Sequence, residues 1–182
     1  MKLKISLLSV LCLVFSCTEG RVESNDKKAQ IDYYQFREMN LDSVGIPASI
    51  MIPNETAGIG ASFAPKILHD EGGFKWHINV GRHFNVLIED YGDYQYLMPE
   101  FLRRINTKDI FNIEIIEESS DYILYKRELN AAPNKQTTYH IYGVKYLNGV
   151  YYEFTNQEEG DSKKVIDFIV KSFLSFKILN IV

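Results

Sequence analysis

Four histidines, His69, His77, His83 and His140, are the side chains best suited to proton transfer or metal ligation near neutral pH. His77 and His83 fall close to Glu89, and a site built from these three would serve a metal-dependent or hydrolytic enzyme. The strong zinc signatures are missing, however: there is no HExxH, no HxH and no cysteine near any of them. The competing expectation is four solvent-facing or hydrogen-bonded histidines. The register expected below for the surrounding hairpin supports it, because His77 then points away from the Trp76 face and His83 sits at the turn.

Other reactive constellations are weak. No serine stands in a GxSxG context. The carboxylate pairs Glu89-Asp90, Glu117-Glu118 and Glu158-Glu159 fall at expected strand ends or turns, where a solvated edge explains them better than a glycosidase pair. The glycines of "GIGASF" lack both a following lysine and a preceding strong strand, so they do not make a phosphate loop. The sequence therefore assigns no catalytic residue, no cofactor and no metal ligand.

The two cysteines, Cys12 and Cys17, lie in the opening segment "SLLSVLCLVFSCTEG". Lys2 and Lys4 precede an apolar run over residues 5–15, too short for a roughly 30 Å hydrocarbon core that needs about 20 residues, but suited to an export signal. The letters Val14-Phe15-Ser16-Cys17 resemble the lipobox of bacterial lipoproteins, in a form similar to the Bacteroidetes type. That resemblance implies a signal peptide over residues 1–16, cleavage before Cys17, and lipid (palmitate and diacylglycerol) on Cys17 as membrane anchor. Cys12 would leave with the signal, so the mature chain would hold neither a free thiol nor a disulfide. Thr18, rather than an aspartate, follows the cysteine, which favours the outer membrane of the cell envelope.

Residues 17–40 read as the lipidated cysteine and a flexible linker, polar over 18–30, and residues 41–182 as a single domain. With 46% hydrophobic and 13% aromatic residues in 182, one core can be well filled. The formal charge is −4, and loss of Lys2 and Lys4 with the signal leaves 18 basic against 24 acidic residues, or −6. Nucleic acid, which calls for a basic patch, is an unsuitable partner.

The elements that must position any site follow from periodicity. A strand is expected over residues 48–52, with a second short one in 61–68. In "FKWHINV" and "FNVLIED" apolar and polar letters alternate, and a three-residue Gly81-Arg82-His83 loop pairs Val80 with Phe84, Ile78 with Val86, Trp76 with Ile88 and Lys75 with Glu89. Pro99 belongs in a helix's first turn, giving a helix over 98–105 with Phe101, Leu102 and Ile105 inward. Strands follow over 111–118, 122–129, 137–147 and 150–156, the last two joined by Asn148-Gly149. A final helix, capped by Asp161 or Ser162, carries Val165, Phe168, Ile169 and Ser172 at helical spacing, and residues 176–182 can add a last strand.

This order predicts an α+β domain: an antiparallel sheet of about six or seven strands with helices packed on it. On residues 137–147, His140, Tyr142, Val144 and Tyr146 share one face while Tyr139 and Ile141 share the other, as in a central strand covered on both sides. Core packing is the simpler reading of this tyrosine-rich meander, and a binding surface for a partner or glycan the sharper one. The stretches "VGRHFNVLIED", "FNIEIIEESSDYILYKREL" and "VIDFIVKSF", with the helix between them, resemble the PsbP-like superfamily of α/β/α sandwich domains over about residues 41–178. The resemblance implies a non-enzymatic binding or assembly module for another envelope component, although fold by itself does not dictate function.

Overall fold

The structure, a computed structural model, describes residues 31–61, 64–70, 72–105, 110–129 and 137–179. Cys12, Cys17, the signal and the start of the linker lie outside the described residues. Among the described residues, ten strands and two α-helices follow one another as β1 Phe36–Asn40, β2 Ala48–Pro53, β3 Lys66–His69, β4 Lys75–Val80, β5 Phe84–Asp90, α1 Leu97–Ile105, β6 Phe111–Glu118, β7 Tyr122–Leu129, β8 Thr137–Leu147, β9 Val150–Asn156, α2 Lys163–Ser175 and β10 Lys177–Ile178. Seven strands form one antiparallel sheet in the order β3-β4-β5-β9-β8-β7-β6, and β1, β2 and β10 form a smaller one with β2 at its centre. The α+β class expected from the sequence is thus the observed one.

The β4–β5 hairpin has the three-residue turn and the expected register: Val80 opposite Phe84, Ile78 opposite Val86, Trp76 opposite Ile88. Slipping it by one residue would turn Trp76, Ile78 and Val86 out to solvent, so burial of this face locks the pairing. On the other face Lys75 and Glu89 meet at 3.0 Å. At the turn, Gly81 has φ +67° and backs onto Gly60 so closely that a Cβ on it would lie 1.7 Å from the Gly60 oxygen. Gly81 is therefore required by this backbone approach, whereas Gly60 of "GIGASF" is a glycine for its own left-handed φ of +76°. The β8–β9 turn places Asn148 and Gly149 at φ 51° and 87°, the left-handed pair that a two-residue hairpin requires.

One face of the large sheet, α2 and the small sheet enclose the core. Helix α2 starts at Ser162, whose Oγ accepts the Val165 amide, and buries Val165, Ile166, Phe168, Ile169, Ser172 and Phe173. Full burial of each apolar side chain among these contributes about 1.5–3 kcal/mol of hydrophobic stabilisation, while the Ser172 hydroxyl is satisfied by the Phe168 carbonyl at 3.0 Å. Phe173 and Phe154 meet edge to face at 5.3 Å, and Phe176 closes the end of the helix against Phe154 at 4.8 Å.

Two boundaries differ from expectation. The ordered domain begins before Leu41: residues 36–40, assigned to the linker, form β1, because Phe36 is buried against Phe168 and its strand pairs with β2. The expected strand near the C-terminus is the two-residue β10, with residues 180–182 outside those described. No helix among the described residues is long and apolar enough to cross a membrane.

Candidate functional site

The second face of the large sheet is covered in part by α1. The helix is seated by Tyr142 of β8, whose Oη donates to Glu153 Oε2 at 2.6 Å and lies 3.3 Å from the Leu97 carbonyl oxygen. Phe101 stacks on the Tyr142 ring. Beyond Phe101 the helix leaves a hollow of about 530 Å³, which crosses the sheet from β4 to β7. A second hollow of about 430 Å³ adjoins it, sharing Phe101, Tyr125, Arg127, Tyr142 and Thr155. Both volumes fall within the roughly 300–1,000 Å³ of small-molecule sites.

Strand parity decides what lines this groove. His77 and Asn79 on β4 are cross-strand neighbours of Leu87 and Asn85 on β5, and Thr155 on β9 faces Leu87 on one side and Tyr142 on the other. The Asn85 amide reaches the Gln157 side-chain oxygen at 3.4 Å. One end of the hollow is thus rich in amides. At the other, Tyr125 of β7 stacks on His140 of β8 with centroids 5.2 Å apart, and Arg127 follows on the same face of β7.

The electrostatics of that end are unusual. Arg127 donates through Nη to the Glu158 carbonyl oxygen, and its guanidinium sits 4.7 Å from the Phe111 ring centroid. Its Nε is occluded from solvent and has no acceptor, and Arg127 makes no ion pair among the described residues. His140 is 3% exposed and lies 3.0 Å from Thr138 Oγ1 through its Nε2. Burial, assisted by the Arg127 charge, pushes its pKa down to about 4, so the ring is neutral at physiological pH. Gly160 leaves room for that ring: a Cβ there would lie 2.4 Å from His140 Nε2. In the adjoining hollow, burial raises the Glu153 carboxyl above the usual range despite the stabilising Tyr142 hydrogen bond. Burial and that same bond hold the Tyr142 phenol protonated far above neutral pH.

The histidines singled out in the sequence are dispersed. His69 stacks on Trp76 at 4.8 Å and meets the Gly73 carbonyl at 3.0 Å through Nε2. His77 is an exposed wall of the groove, whereas His83 lies at the β4–β5 turn in a different hollow, beside Gly160 and Asp161. Glu89 is engaged by Lys75. His77, His83 and Glu89 do not form one cluster, and among the described residues no group of three His, Cys, Asp or Glu side chains is arranged to hold a metal.

The carboxylates have structural roles. Glu117 accepts from Tyr122 Oη, and Asp90 accepts the Gly92 amide at 2.7 Å. Buried Asp161 accepts Asn156 Nδ2 at 2.7 Å and Gln157 Nε2 at 2.9 Å, while Asn156 Oδ1 takes the Ile141 amide at 3.0 Å. This network ties the end of the β8–β9 pair to the start of α2.

Arg127 was not singled out in the sequence. Its signal was alternation on residues 122–129, which puts Tyr125 and Arg127 on one face, but identifying that face as the groove face required the β7–β8 pairing. No family model and no curated protein matches this chain.

Proposed function

We propose that this protein is an envelope-anchored lipoprotein, held at the outer membrane by lipid on Cys17, whose PsbP-like domain is a non-enzymatic binding or assembly module for another envelope component. The anchoring half rests on the lipobox-like Val14-Phe15-Ser16-Cys17. Attachment by more than one acyl chain is stable, because each buried CH₂ contributes about 0.8 kcal/mol.

The observation that carries the binding half is the groove beside α1, where aromatic walls, amide side chains and a cation with no ion pair among the described residues converge on a surface that the helix leaves open. Concave, largely apolar surfaces with a few converging polar groups are where ligands bind. The test is capture from envelope membranes with the intact protein, run in parallel with Thr155→Trp, which fills the middle of the groove. A component retained by the wild type and lost from Thr155→Trp supports the reading. Equal recovery on both, or no component together with turnover of a substrate, overturns it in favour of another surface or an enzyme.

A further inference from the structure

The groove asks for an occupant of particular chemistry. Of the side chains lining the larger hollow, Arg127 and Glu158 carry fixed charge at neutral pH, and Glu158 is exposed at the rim whereas Arg127 is partly buried. Water screens Glu158; it screens the Arg127 guanidinium much less. One Nη of Arg127 donates to the Glu158 carbonyl and its Nε is occluded, without an acceptor among the described residues, so the remaining Nη hydrogens are the ones that can meet an anion in the groove. The neutral imidazole of His140 beside it supplies no counter-charge. The site is therefore short of one negative charge at its β7 end. The one guanidinium of the larger hollow matches a monoanionic, planar carboxylate better than a dianionic phosphate, because the next cation, Arg104, lines the adjoining hollow where its charge acts on the Glu153 carboxyl.

The rest of the groove restricts the body that carries the carboxylate. The Asn79 and Asn85 amides and the Thr155 hydroxyl each both donate and accept, the combination that vicinal hydroxyls require. Phe101 and Tyr125 supply ring surface for the C–H faces of a sugar. An extended peptide would instead seek a sheet edge for backbone pairing, and this groove lies across the strands on the sheet's face. We propose that the groove binds an acidic sugar of the uronic-acid class, its carboxylate on Arg127 and its hydroxyls toward Asn79, Asn85 and Thr155.

This inference rests on the binding-module reading and names the chemistry of what that module holds. Its test is calorimetric titration of the full chain, extracted in mild detergent, with glucuronate and galacturonate against glucose and galactose, with inorganic phosphate as another anion and glycylglycine as a zwitterionic peptide that also carries a carboxylate. A uronate is expected to bind at least about ten-fold more tightly than its uncharged parent sugar, with that preference lost in Arg127→Gln and kept in Arg37→Gln on β1. Thermal unfolding of Arg127→Gln at or above the wild-type midpoint shows that the loss is not one of folding. The inference is overturned if neither uronate is preferred to its parent, if the preference survives in Arg127→Gln, or if phosphate or glycylglycine binds more tightly than both uronates. Failure here with capture still lost from Thr155→Trp removes the sugar acid alone. Capture indifferent to Thr155→Trp removes the groove itself.

Discussion

The rings of Phe101 and Tyr142 lie parallel, 3° apart in plane and 3.8 Å between centroids, so that one residue of α1 caps a strand at the middle of the sheet. The stack fixes the helix that shapes the groove. Phe101→Ala is expected to cost about 1–3 kcal/mol in urea unfolding, less than a fully buried phenylalanine because its ring is partly exposed. Hydrogen exchange over Leu97–Ile105 should accelerate in the variant, while α2 keeps its protection.

Gly143 of β8 faces the core, and a Cβ there would lie 2.5 Å from the Phe173 ring. Phe173 is 2% exposed and wedged against Tyr122 and Phe154, so it has little room to retreat. Gly143→Ala should destabilise the domain by about 1–3 kcal/mol through overpacking. Pairing it with Phe173→Leu should restore part of the loss, and additive losses in the double variant would contradict the contact.

The buried imidazole of His140 makes stability depend on pH. Its folded pKa of about 4 lies below the 6.5 of an exposed histidine, so between these values the unfolded chain binds the additional proton. The stability associated with the neutral ring is complete above about pH 6.5 and is lost as pH falls toward 4, by on the order of 2–3 kcal/mol. His140→Gln removes this titration. The gap in unfolding free energy between wild type and variant should therefore shrink from pH 7.5 to pH 4; parallel curves would show that the ring is not held neutral.

Lipid attachment can be read directly. Radiolabelled palmitate supplied to cells making the protein should appear in the wild-type chain and be absent from Cys17→Ala, and the variant should leave the membrane fraction. Label persisting in Cys17→Ala would place the anchor elsewhere.

Much of this fold was legible because alternation and turn chemistry agree. Trp76, Ile78, Phe84, Val86 and Ile88 allow one hairpin register, Asn148-Gly149 allows one turn, and the apolar stripe from Val165 to Phe173 allows one docked face. β1 was not legible: within "FREMN" Phe36 is the one buried side chain, and the strand exists because β2 pairs with it.

The tyrosines divided between the two readings offered for them. Tyr142 and Tyr152 are buried at 2% and 4%, whereas Tyr146 is 58% exposed. Parity places each of these on a face but does not say whether α1, α2 or solvent covers that face. The groove was hidden for the same reason: its members come from five strands and one helix, and Arg127 meets His140 through pairing that begins again after the long connection between β7 and β8.

The central claim, that this face of the sheet holds an envelope component, is tested most directly by photo-crosslinking in intact cells. A benzophenone amino acid replaces Leu87, in the middle of the groove, or Arg37 on the distant β1. Irradiation should yield a discrete adduct from position 87, none from position 37, and none from position 87 when Thr155→Trp is also present. Equal crosslinking from both positions, or an adduct at 87 that persists with the groove filled, would contradict the account.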